Sequence, residues 1–216
     1  MLLRHDRPDA ACLVDEAAWP AVVTFFGGDG AGTLVADRWL LTAAHTARNI
    51  PPDHRVPVGG RERPIAGVVA HPDGIDLALV ELDRPVDGVE PLALNERLDE
   101  VGAEALLLGR GDFGNGRDGV LGADQRLRCV TNRIDSADDR WLRLRFDPPP
   151  DCSALEGVGG EGDSGGPALV RDGSRLTLAG VSSWQDHDDP LGTYGRIEHY
   201  ARVAAQVSWI RAVIAS

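Results

Sequence analysis

The stretch "GGEGDSGGPALV", residues 159–170, places an acidic residue and a serine inside a run of glycines and then enters an apolar segment. Gly, Asp and Ser are the residues that turns prefer, so one reading is a surface turn leading into a strand. The other is a serine held on a backbone-rich loop for nucleophilic attack. A serine hydroxyl is a weak nucleophile at its own pKa and needs a base, and the base needs a group that orients it. The rest of the chain decides between the two readings.

The base stands in "WLLTAAHTA" (39–47), where His45 ends an apolar strand after small residues that leave the imidazole accessible. The orienting group stands in "HPDGIDLALVEL" (71–82), where Asp76 opens an alternating strand at a position that can half-bury a carboxylate beside a ring. Asp73, in the Pro-Asp-Gly of the same stretch, has the place of a structural turn residue.

Around these segments, short apolar runs such as "AVVTFF", "EALLLG", "RLRCVTNRI" and "TLAGVSSW" alternate with Gly, Pro and Asp punctuation. Runs of this length between turn signals predict an all-β sandwich or barrel. The exception is "YARVAAQVSWIRAVIAS", in which Val203, Val207, Ile210, Val213 and Ile214 recur at helical spacing, predicting one amphipathic helix over about 200–215. The boundary between two β halves is expected near residues 95–105, dividing the chain into 1–100 and 101–216.

Composition narrows the function further. A net charge of -12 disfavours nucleic acid, whose binding needs clustered cations that displace counterions. The chain has no apolar run near the 18 to 20 residues that a bilayer crossing takes, so no membrane span is expected. Cys12, Cys129 and Cys152 form no C-x-x-C pair, which makes a zinc site improbable and allows at most one intramolecular disulfide. The start, "MLLRHDRPDAACLVDEAAWP", lacks the apolar core and small-residue cleavage site of a signal peptide; the protein is expected either to stay inside the cell or to be a form that has lost its leader.

"LLTAAH" with His45, "DLALVEL" with Asp76, "GDSGGP" with Ser164, "GVSSW" at 180–184 and "YARV…WI" near the end occur in one order, His then Asp then Ser. In these motifs the chain resembles the chymotrypsin-like (trypsin-like) serine proteases. The resemblance implies two antiparallel six-stranded β-barrels with a C-terminal helix, no cofactor or metal, a protein or peptide substrate, a monomer, and a secreted or periplasmic location. It implies that Ser164 attacks the scissile carbonyl, that His45 carries the proton, and that Asp76 holds the imidazole tautomer. The backbone N–H groups of Gly162 and Ser164 would form the oxyanion hole, and Asp163 would pair with a free α-amino group near the chain start, for which Met1 to Leu3 is the candidate region.

The chain also departs from the family pattern. Thr46 and Gly160 stand where the family has cysteines. Val158 takes the place at the bottom of the primary specificity pocket where basic-specific members carry an aspartate. Ser183, Trp184, Gln185 and Gly192 resemble the pocket wall, with Gln185 replacing a glycine and narrowing the entrance. Small or medium apolar side chains are therefore expected at the cleavage site. The acidic "QDHDDP" (185–190) could instead draw basic residues to the rim or, through Asp186, His187 and Asp188, a metal, although no ligand spacing is met. Two alternatives stay open: a non-catalytic binding member of the same fold, and an esterase-type acyl hydrolase.

Overall fold

The computed structural model describes residues 1–51, 53–186 and 192–216. A short strand, β1 (Leu2–Leu3), comes first. A six-stranded antiparallel sheet follows, built from β2 (Val22–Thr24), β3 (Ala31–Ala36), β4 (Trp39–Thr42), β5 (Arg55–Val58), β6 (Arg61–Ala70) and β7 (Ala78–Leu82) in the order β2-β3-β4-β7-β6-β5. The sheet curls until β2 lies against β5, and the single-turn helix α1 (Ala44–Ala47) leaves the end of β4.

The second half contains β8 (Glu104–Gly109), β9 (Phe113–Asn115), β10 (Gly119–Gly122), β11 (Arg128–Arg133), β12 (Ser136–Ala137), β13 (Trp141–Arg145), β14 (Gly157–Val158), β15 (Pro167–Asp172), β16 (Arg175–Gln185) and β17 (Ile197–Arg202). Seven of these form a sheet in the order β11-β8-β15-β16-β17-β13-β12. A smaller sheet, β10-β9-β1-β14, takes in the chain start, with β1 parallel to β9 and antiparallel to β14. Residues 1–14, which the sequence pattern places in the first half, therefore belong with the second: Leu2 pairs with Val158, and Leu13 bridges to Arg128.

Alternation explains why the strands next to the catalytic candidates read as almost continuous apolar runs. Successive side chains point to opposite faces. In β4, Leu40 enters the core of the first half with Phe25, Val56 and Val80, whereas Trp39 and Leu41 face a second cluster. That cluster lies between the halves and includes Leu79, Leu108, Leu169 and Leu178. Both faces of β4 and β7 are thus buried. A third core, with Leu107, Val130, Leu144, Val170 and Tyr200, fills the second half.

The terminal helix is shorter than the apolar periodicity predicts. Residues 197–202 are strand, Ala204–Gln206 is a 3-10 turn, and α2 covers Val207–Ile214. Tyr200 and Ala201 pair with β16 and β13, so the ladder claims them. Ile210 and Val207 dock α2 on the cluster between the halves.

Candidate active site

His45 and Asp76 meet because β4 and β7 are neighbours in register. Thr42 pairs with Ala78, which puts the residue three beyond one strand and the residue two before the other at the same sheet end. Asp76 Oδ2 lies 2.7 Å from His45 Nδ1, and Asp76 Oδ1 accepts the His45 backbone N–H at 2.9 Å. Burial acts to raise the Asp76 carboxyl, but the hydrogen bonds from His45 and Ser183 outweigh it and hold the group below the usual carboxylate range. Asp73 is exposed on its turn, where its N–H donates to His71 Nδ1.

A β-bulge supplies a third donor to Asp76. Ser182 pairs with Tyr200 and Trp184 with His199, so Ser183 is an extra residue in β16. Bulges re-aim side chains, and the Ser183 hydroxyl donates to Asp76 Oδ2. The sequence pattern places Ser183 only in the pocket wall; the structure brings it both to that wall and to Asp76.

Ser164 reaches the cleft through contacts between the halves. Its carbonyl accepts from Ala31 N–H at 2.7 Å, and the Gly162 carbonyl accepts from Gly30 N–H at 2.8 Å. The turn is possible because Gly162 and Gly165 have φ of +90° and +83°. A Cβ on Gly165 would come within 2.1 Å of the Ala31 carbonyl oxygen, so only glycine fits there. The N–H groups of Gly162 and Ser164 donate to no acceptor among the described residues. Ser164, Gly162 and His45 line one cavity of about 460 Å³ together with Thr46 and Asn49.

Asp163 points the other way, into the protein. Its Oδ2 lies 2.7 Å from the α-amino nitrogen of Met1 and accepts the Gly160 N–H, and its Oδ1 accepts the Gly111 N–H. Met1 and Asp163 are both buried. Gly160, which stands at a family cysteine position, is pressed against Asp112, where a Cβ would sit 2.3 Å from the carbonyl oxygen.

On its other side Ser164 borders a cavity of about 230 Å³ that is also lined by Leu2, Val120, Gly159, Ser183, Trp184, Gln185 and Glu198. Two expectations are corrected here. Val158 is fully buried, pairs with Leu2, and packs with Phe146 and Tyr194 outside the cavity. Gly192 is buried against Leu2 and does not line the cavity either. The buried ionisable group in the cavity is Glu198, which the sequence pattern does not single out; its only sequence signal is an acid in the inward phase of the apolar strand "IEHYARV".

Glu198 Oε2 accepts from Gly159 N–H at 2.7 Å and Oε1 from the Ser182 hydroxyl at 3.1 Å. Burial raises its carboxyl to about 7, against the hydrogen bond from Gly159. Gln185 lines the cavity, its amide donating to the Gly159 carbonyl at 2.6 Å. Trp184 is partly exposed and stacks on His199 at 3.7 Å. His187 and Asp188, the remaining metal candidates, lie outside the described residues.

The trypsin family model matches residues 14–210. Two mouse proteins, the complement C1r-B and C1r-A subcomponents, are each 31% identical to the chain, over 238 and 235 residues. Each match covers 89% of the chain but only 32% of the relative, so the chain spans about a third of the length of these relatives. Among solved structures, neuropsin, a serine protease expressed in the limbic system of mouse brain, superposes with a TM-score of 0.74 at 22% identity, covering 94% of this chain and 98% of that one. That likeness carries the chymotrypsin-like fold expected from the motifs.

Proposed function

This chain belongs to the trypsin family, and from that premise we propose that it is a serine endopeptidase acting through Ser164, His45 and Asp76. The observation that carries the proposal is the convergence of His45, paired to Asp76 at 2.7 Å, and Ser164 on one cleft. In the reaction Ser164 Oγ attacks the scissile carbonyl and His45 Nε2 takes its proton. The carbonyl oxygen, now negative, receives the N–H groups of Gly162 and Ser164, each worth roughly 3 to 4 kcal/mol in such a site. His45 then protonates the leaving amine, and the acyl-enzyme is hydrolysed by water through the same steps. Asp76, with the donors on its two oxygens, keeps the proton on His45 Nδ1 and the base on Nε2.

The expectation of small or medium apolar residues at the cleavage site rests on Val158 at the cavity floor and on Gln185 at its entrance. With Val158 in a buried cluster, the first of these supports falls away.

A fluorophosphonate probe tests the chemistry. Labelling confined to Ser164, abolished in Ser164→Ala and accompanied by amide hydrolysis in the unmodified protein, is expected. Absence of labelling would leave a non-catalytic member of the fold. Ester hydrolysis without amide hydrolysis would mark an esterase.

A further inference from the structure

The cavity beside Ser164 combines apolar walls with one buried acid. Leu2, Val120 and the Trp184 ring supply the apolar surface, and Glu198 supplies the carboxyl. Lysine and arginine side chains have the matching form, an aliphatic stem that buries against apolar surface and a charged head that needs a partner.

The groups around Glu198 complete the electrostatic picture. Its own strand carries Tyr200, whose hydroxyl bonds to it, and Arg196, just before that strand, donates through its guanidinium to the Asp186 carbonyl. The neighbouring β16 offers the neutral Ser182 hydroxyl, and β13 faces it with Leu144 in register. From the loop that carries Ser164 come the Gly159 N–H, the Asp163 carboxylate, which opposes ionisation, and Glu161 on the cavity wall. The Met1 ammonium is engaged by Asp163. Among the described residues the contacts on the Glu198 oxygens therefore come from neutral donors, and an ionised Glu198 has no cation of its own among them.

We propose that Glu198 is the specificity-determining residue of the substrate pocket and selects a cationic side chain, lysine or arginine, on the acyl side of the cleaved bond. The proposal rests on the endopeptidase reading for its substrate but not for its binding chemistry. A cation entering the cavity neutralises the carboxylate that burial disfavours. With the Glu198 carboxyl raised to about 7, binding below that pH releases its proton to solvent. Affinity for a cation then falls by up to about tenfold per pH unit, the slope of one linked proton. An uncharged side chain displaces no proton and lacks that dependence.

The test is the ratio of kcat/KM for two peptides that differ only in Arg or Leu before the scissile bond, followed from pH 5.5 to 8.5. The ratio cancels any pH effect that the two substrates share. It is expected to rise at least about tenfold through neutral pH, and Glu198→Gln is expected to flatten it. A ratio independent of pH, or one that survives Glu198→Gln, overturns the proposal. The wild-type profile needs no variant to fold. Calorimetric binding of butylguanidinium needs no turnover: tighter binding at pH 8 than at pH 6 without peptide hydrolysis would retain the pocket and overturn the endopeptidase reading. No binding at either pH would overturn the pocket.

Discussion

The Ser183 hydroxyl donates to Oδ2 of Asp76, the same oxygen that lies 2.7 Å from His45 Nδ1. One carboxylate oxygen thus joins the bulge in β16 to the imidazole, and the aim of the His45 ring depends on a residue of the opposite half. Ser183→Ala should lower kcat by roughly tenfold, because removal of one hydrogen bond to a charged group costs about 1.5 to 3 kcal/mol and only part of it reaches the transition state. Asp76→Asn should cost on the order of 10^4 through the wrong tautomer. Asp73→Asn should be nearly silent, and steady-state kinetics showing equal losses at both aspartates would refute the assignment.

If Ser164 and His45 act as a unit, either alanine variant should reduce kcat by roughly 10^3 to 10^6, and the double variant should be little worse than the poorer single one. Additive losses would show that the two residues serve separate steps.

The Met1 ammonium shares Asp163 Oδ2 with the Gly160 N–H, beside the loop that carries the Gly162 and Ser164 amides. Stripping a buried carboxylate of its cation costs about 3 to 5 kcal/mol, and the loop can avoid that cost by rearranging. Protein carrying an uncleaved extension before Met1 should therefore be at least about a hundredfold less active than protein with a free Met1 amine. Equal turnover of the two would mean that Asp163 holds the loop without the amine.

Glu198 also makes a prediction about stability. Its carboxyl is raised from an ordinary 4.5 to about 7, so between those values the folded state binds more protons than the unfolded one and stability falls as pH rises. The penalty is complete above about pH 7 and amounts to roughly 3 kcal/mol at 1.36 kcal/mol per unit. Urea denaturation at pH 4.5 and pH 8 should show Glu198→Gln gaining about that much relative to wild type at the higher pH. A pH-independent difference would place the Glu198 titration elsewhere.

Gly165→Ala should destabilise the protein by several kcal/mol, since it combines a φ of +83° with a Cβ placed 2.1 Å from the Ala31 carbonyl oxygen. A melting temperature within a few degrees of wild type would show that the loop can move away from β3.

The sequence alone carried the β class and the candidates for nucleophile, base and orienting acid, whereas the pairing of Asp163 with the chain start came only from the resemblance to the trypsin-like proteases. Each of these sits in a local pattern whose chemistry constrains its neighbours: glycines around Ser164, small residues before His45, an apolar alternation after Asp76. Tertiary structure decided which residues line the cavity beside Ser164. Whether Val158 or Glu198 faces the cavity depends on the pairing of Val158 with Leu2 and of Glu198 with Gln185, contacts between segments distant in the chain. The bulge at Ser183 changes the register between β16 and β17, and a shift of one residue exchanges the two faces of a strand. The same reason hid the true start of α2, because Tyr200 and Ala201 satisfy a helical period and a strand ladder alike until β13 and β16 supply the partners.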